Sequence, residues 1–576
     1  MAEHDLVIRG GTVVDGTGAP RRTADVAISD GTVTEVGDVP ARGRREIDAD
    51  GALVTPGFVD VHCHYDGQAT WDERLQPSSW HGVTTVVMGN CGVGFAPVHD
   101  RDHERLIQLM EGVEDIPGAA LAEGLQWGWT DFAGFLEAVD RRPHDLDVAA
   151  QVPHAAVRLH VMGERGADHE EVATPEEIAE MGRVVADAIQ SGALGFTTSR
   201  TRNHKTSTGA YTPTLTAARD ELVGIAEAVG ATGTGVLQMV GDFLDLDHEF
   251  GTLVEMMRAS GRPLSFSLAQ SPLAPDQFRE LLKRLDAAVD DGFDMRAQVA
   301  PRAVGLLLGL DCTLNPFLAN PVWREVADRP LAEQVATMSD PEFRRRVLEA
   351  HETGKAKGKL GGGLIGAFDR MFPLADPPDY EPDLADAVTG QARRAGVDPA
   401  EWAYDFMLGD GGSAMFYVPF LNYAEGNLDT TREMLAHPRT VPGLSDGGAH
   451  VGTICDGSFP TFLLTHWGRD RQRGELFDIE WLVRQHTLET ARTVGLLDRG
   501  VLAPGMRADL NVIDFDRLAV SRPEMHHDLP AGGRRVLQRA TGYRHTVVAG
   551  VETYADGEAT GELPGRLVRG AQPAPA

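Results

Sequence analysis

The chain has 576 residues, 42% of them hydrophobic, which is enough for one large domain with a smaller companion. Its formal net charge of −33 is spread along the length, which excludes the basic face a nucleic-acid partner requires. There is no N-terminal basic stretch leading into an apolar run, and no apolar run of the roughly 18 residues a membrane span needs. Cys63, Cys91, Cys312 and Cys455 are too scattered for a disulfide framework, so the expectation is a cytoplasmic protein with free thiols.

Residues 1–56 read as all-β, with "DLVIRGGTVVDG", "TADVAISDGTVTEVG" and "GALVTPG" punctuated by Gly and Pro turns. From 57 to 495, eight apolar runs alternate with helical stretches such as "TPEEIAEMGRVVADAIQSG". The runs are 58–62, 83–88, 147–152, 193–198, 235–240, 263–267, 293–299 and 440–445. Eight such units predict an α/β protein built on a TIM-like (β/α)8 barrel, with its site at the C-terminal ends of the strands. The seventh connection, 300–440, is too long for one helix. It holds helical runs, a Gly/Lys-rich piece, "GKAKGKLGGG", and an aromatic stretch, "MFYVPFLNYAEG", and is expected to act as a lid. The β pattern returns at 496 with "GVLAPGMRADLNVIDFD" and "HTVVAGVETYADGEATG". Residues 1–56 and 496–565 should therefore pair in a small β-sandwich beside a 57–495 barrel, leaving 566–576 as a disordered tail.

The first barrel run ends "FVDVHCHYD". If Val59 and Val61 face the helices, strand alternation turns His62 and His64 together into the barrel mouth, where two imidazoles suit a metal. Cys63, between them, should point away. In a closed barrel strand 8 lies beside strand 1, and its end, "TVPGLSDGGAHVG", supplies Asp446. A carboxylate there can ligate a metal and take a proton from its water, although a plain turn aspartate fits the Gly-Gly context too. Strand 2 ends "TTVVMGNCGVG", which offers Cys91 as a soft thiolate ligand or, more simply, a buried inert cysteine.

Together with these, "PSSWHGVTTVVMGNCGVGFAP", "VPHAAVRLHVMGERG", "SGALGFTTS", "GAYTPT", "LSDGGAH" and "GVLAPGMRADLNVID" resemble the amidohydrolases, and within them the N-acyl-D-amino-acid deacylases, over nearly the whole chain. The resemblance implies a barrel metal site with His62, His64, the bridging Cys91 and Asp446 as ligands, and a sandwich made from both termini. It also exposes departures. The deacylases hold a tightly bound zinc with histidines at the ends of strands 5 and 6 and the cysteine; here strand 5 offers Gln238 or Met239, and strand 6 has Leu268. Strand 4 carries no lysine for carboxylation. The remaining set suits about one metal per chain, zinc by its thiolate and imidazoles, with another divalent ion as the alternative.

For substrate contacts, Gln270 stands where the deacylases have a lysine, Arg302 follows strand 7 as a bidentate carboxylate contact or a surface ion pair, and His154 matches a family position near the metal or serves in structural hydrogen bonding. Gln238 and His450 complete the candidate substrate-binding set. The expected function is metal-dependent hydrolysis of an amide-type C–N bond in a small molecule, an N-acyl amino acid or a relative of one, with Asp446 as acid and base. A cyclic-amide hydrolase or lyase on the same site, and a non-catalytic relative that lost its tight metal site, are the alternatives. No membrane partner is expected, and homo-oligomerisation is left open.

Overall fold

The computed structural model describes residues 3–351 and 362–575, so most of the Gly/Lys-rich piece at 354–363 lies outside the described residues. The N-terminal strands are β1 (His4–Val13), β2 (Arg22–Ser29), β3 (Thr32–Gly37), β4 (Gly43–Asp48) and β5 (Leu53–Pro56). Next come β6 (Phe58–Asp60), β7 (Val83–Met88), β8 (Asp147–Pro153), β9 (Gly195–Arg200), β10 (Val236–Gly241), β11 (Leu264–Leu268) and β12 (Met295–Val299). The insertion carries β13 (Val304–Leu308), β14 (Phe372–Pro373) and β15 (Phe416–Leu421), and β16 (Thr440–Pro442) follows it. Towards the C-terminus, β17 (Leu510–Ile513), β18 (Tyr543–Val548), β19 (Val551–Ala555) and β20 (Glu558–Ala559) join the N-terminal strands.

Strands β6 to β12 and β16 form one curled parallel sheet in chain order. Every residue of β7 and β8 is buried, as in parallel strands covered on both faces. Helices fill the connections for local reasons. Pro175–Gln190, for example, opens with Pro at its first turn and a reciprocal capping box between Thr174 and Glu177. The sheet's two ends approach each other just past β6 and β16. Cys63 and Gly447 form a parallel bridge there. His64 N donates to Gly447 O at 2.8 Å and Asp446 N to His62 O at 3.1 Å.

The chain's two ends share a second sheet, in which β17 pairs antiparallel with β5, Val512 opposite Val54. The insertion has its own three-stranded sheet, β13-β15-β14. It rests on the segment after β16: Leu307 N donates to Thr453 O and Thr313 N to Gly452 O. Phe416 and Val418 of the aromatic stretch are buried in the insertion's core with Ala403 and Tyr404.

The tail corrects the composition-based expectation of disorder. Val148 N donates to Arg566 O at 3.0 Å and Val568 N to Val148 O at 2.7 Å. Val568 joins the apolar cluster of Val59, Val61, Val87 and Leu496, so burial of this side chain offsets the entropy of ordering the segment. Among the described residues, no helix is long and apolar enough to cross a membrane.

Candidate metal centre

Val59 and Val61 pack with Ala491 and Val494 behind the sheet, so alternation sends Asp60, His62 and His64 to the opposite side. Asp60 Oδ1 accepts from His62 N at 3.1 Å, and Asp60 Oδ2 accepts from the Ser445 hydroxyl, which ties the end of β6 to the segment bearing Asp446. Cys91 follows Gly89, which sits at φ +86° and whose missing Cβ would lie 2.1 Å from Gln151 O. Only glycine permits that approach, and the turn it allows delivers the thiol. Cys91 is itself left-handed at φ +56°. Cys63 points the other way, its thiol on Val87 O at 3.1 Å.

The donors converge. His62 Nε2 is 3.4 Å from Cys91 Sγ and 3.5 Å from Asp446 Oδ1, while His64 Nε2 is 3.6 Å from the same oxygen. Among the described residues, His62, His64 and Cys91 form the one group of three such side chains whose ligand atoms all lie within 4.8 Å of one another. Donors held tetrahedrally at zinc's bond lengths stand roughly 3.3–3.8 Å apart, so the spacing fits a divalent metal. Both nitrogens of His64 and Asp446 Oδ1 are buried without a hydrogen-bond partner, as donors shaped for an ion would be. Beside Asp446, a cavity of about 20 Å³ lined also by Gln68, Asp456 and Arg535 has room for roughly one water.

Burial and neighbouring charge pull the group in different directions. Burial lowers His62 to about 4. His64 is just as buried, yet Glu114, Cys91 and Asp446 around it outweigh that burial and raise it. Burial would raise Asp446, but His64, His62 and His450 hold it well below the ordinary carboxylate range. The Cys91 thiol is pushed up to about 12 by burial, so ligation would have to displace its proton.

The substrate-binding candidates separate. His450 is brought to the cluster, its Nε2 3.9 Å from Asp446 Oδ2. Gln238 is 1% exposed with both amide atoms unpartnered, and Leu268 is fully buried. Three others have internal partners. His154 spends both ring nitrogens, on Thr198 Oγ1 at 2.8 Å and on Glu221 at 2.9 Å. Gln270 anchors the insertion, its Nε2 donating to Glu425 at 2.8 Å and its Oε1 accepting from Ala424 N and Thr430. Arg302 is not a surface group: it is 2% exposed, donates to Asp456 at 2.9 Å and stacks 3.7 Å over Tyr380, with Nε and Nη1 buried and unpartnered. Each finds a nearer internal partner, which its position along a strand does not reveal.

Three residues escaped the sequence reading. Gln298, on β12, offers Oε1 to His62 Nδ1 at 2.8 Å and donates through Nε2 to Ser265; a lone amide in an apolar run was its only signal. Glu114 ends a helix in the connection after β7 and faces His64, with no sequence mark at all. His204, four residues past β9, is held through Nδ1 by Ser199 Oγ at 2.8 Å. Burial, together with His450, His64 and His62, lowers it to about 3.

A family model described as "Amidohydrolase family" matches residues 45–554. D-aminoacylase of Alcaligenes xylosoxydans xylosoxydans is 27% identical over 574 residues, covering 98% of this chain and 97% of its own length. N-acyl-D-glutamate deacylase of the same organism is 27% identical over 576 residues, with coverage of 98% and 96%. A solved D-aminoacylase, studied for one-metal activation and second-metal attenuation of its binuclear centre, matches with a TM-score of 0.65 at 25% identity, covering 98% of this chain and 100% of that one. N-acyl-D-glutamate deacylase from Bordetella bronchiseptica, solved with zinc and a phosphonate inhibitor, shares the fold with a TM-score of 0.63 at 24% identity, covering 98% and 99%.

Proposed function

The chain belongs to the amidohydrolase family, and on that premise we propose that it hydrolyses a non-peptide amide C–N bond in an N-acyl amino acid or a related small molecule. The observation that carries this reading is that His62 Nε2 stands 3.4 Å from Cys91 Sγ and 3.5 Å from Asp446 Oδ1, with His64 Nε2 3.6 Å from the same oxygen.

His62, His64, Cys91 and Asp446 would hold the metal, zinc by the softness of the donor set. A divalent ion bound there supplies Lewis acidity toward a substrate carbonyl and toward water. Asp446 turns Oδ1 to the two imidazoles, which leaves Oδ2, facing His450 at 3.9 Å, to accept the water's proton and return it to the leaving amine. A single metal suffices on this reading, consistent with the one-metal activation described for the D-aminoacylase relative. Residues 57–495 form the catalytic domain, and the 300–440 insertion covers the site through its hold on the segment after His450. Residues 1–56 and 496–565 form the accompanying β domain.

The test joins metal analysis to a panel of N-acyl-D- and N-acyl-L-amino acids and cyclic amides. About one equivalent of zinc with turnover of an N-acyl amino acid is expected. A metal-loaded protein that cleaves only cyclic amides, or nothing, overturns the reading.

A further inference from the structure

The two histidines of the cluster lean on unlike outer partners. His62 has a neutral amide, Gln298. His64 has a carboxylate: Glu114 Oε1 lies 3.3 Å from its Nδ1. The other Glu114 oxygen is 3.5 Å from His450 Nε2, and the Glu114 carbonyl accepts from His450 N. Glu114 is 1% exposed, neither carboxylate oxygen makes a hydrogen bond, and no lysine or arginine pairs with it among the described residues.

Stability does not explain that placement. Glu114 is the last residue of the helix His103–Glu114, where the backbone carbonyls disfavour a negative charge, and an unpaired buried carboxylate is a cost. A cation beyond the imidazole would repay it, because a carboxylate on the far nitrogen orients a ligating histidine and makes it a stronger donor.

We propose that Glu114 is a positioning residue of the metal centre: its carboxylate faces Nδ1–H of His64 as a hydrogen-bond acceptor, which leaves the Nε2 lone pair facing Asp446, and it fixes His450 against Asp446. Where Gln238 and Leu268 replace stronger donors, a carboxylate behind His64 makes one of the remaining imidazoles a stronger donor. The inference rests on the metal-centre reading above.

Apo-protein of the wild type, E114M and E114Q would be titrated with zinc against a chromophoric chelator, its cobalt(II) spectrum recorded and its apo melting temperature measured. E114M removes the charge and the acceptor at similar volume, so zinc should bind about 10–100-fold more weakly and the cobalt bands should shift. Apo melting should not fall. E114Q, which keeps an acceptor without the charge, should lie between the two. Wild-type zinc affinity in E114M overturns the proposal, as does a lower melting temperature with unchanged affinity, which is the mark of a structural role. Should E114M fail to fold, E114Q carries the test: weaker zinc binding supports the proposal and wild-type affinity overturns it. A wild type that binds neither metal overturns the metal centre itself, and this inference with it.

Discussion

His62 Nε2 and Asp446 Oδ1 stand 3.5 Å apart where the first and last strands of the parallel sheet come together. Asp446 is left-handed at φ +48°, a conformation asparagine accepts about as well. D446N should therefore keep the fold while losing the proton carrier, and kcat should fall by about 10²–10⁴-fold. Steady-state kinetics beside circular dichroism decide it, and near-normal turnover would remove Asp446 from that role.

Chelation should stop turnover and lower the melting temperature, and about one equivalent of zinc should restore both. A ligand at a thousandfold excess over its Kd stabilises by about 4 kcal/mol, a readily measured shift. Cys91→Ser should weaken zinc binding, since a buried hydroxyl is a poorer ligand than a thiolate. If elemental analysis instead finds two tightly held ions, the single-metal reading fails.

Arg302 and Asp456 form a pair in which each side chain is 2% exposed. Removing one partner of such a pair typically costs about 3–5 kcal/mol, so R302A should lower the melting temperature sharply, without a selective rise in KM for carboxylate-bearing substrates. A variant that melts like the wild type yet binds such substrates poorly would return Arg302 to the substrate pocket.

Glu381 ties the insertion to the region after β16, accepting from Arg471 at 3.0 Å beside His466 at 3.1 Å. Burial would raise its carboxyl, but His466 and Arg471 outweigh it and bring it from 4.5 down to about 2. With the folded value below the unfolded one, the contact stabilises fully above about pH 4.5 and loses that contribution as pH falls toward 2. E381Q should destabilise the protein at pH 7 and flatten its acid limb. Urea unfolding at pH 7, 4.5 and 3 checks this, and parallel curves for variant and wild type would refute it.

By itself the sequence determined what has a local period. The eight apolar runs lie within a few residues of the parallel strands, and alternation through Val59 and Val61 was enough to orient His62 and His64, because side chains on a strand must alternate. Barrel logic brought in Asp446, and the "MGNCG" turn brought in Cys91. Only the tertiary structure decided the rest. Glu114 and Gln298 reach the histidines from a helix end and from a strand near the sheet's other end, and no repeat in the chain records such an approach. Arg302, Gln270 and His154 stand at strand ends like binding residues, yet each is claimed by Asp456, Glu425 or Glu221. Composition made the last residues look unstructured, and Val568 shows why that fails: its side chain meets a cluster built from distant strands while the backbone around it bonds to Val148 and Gly192.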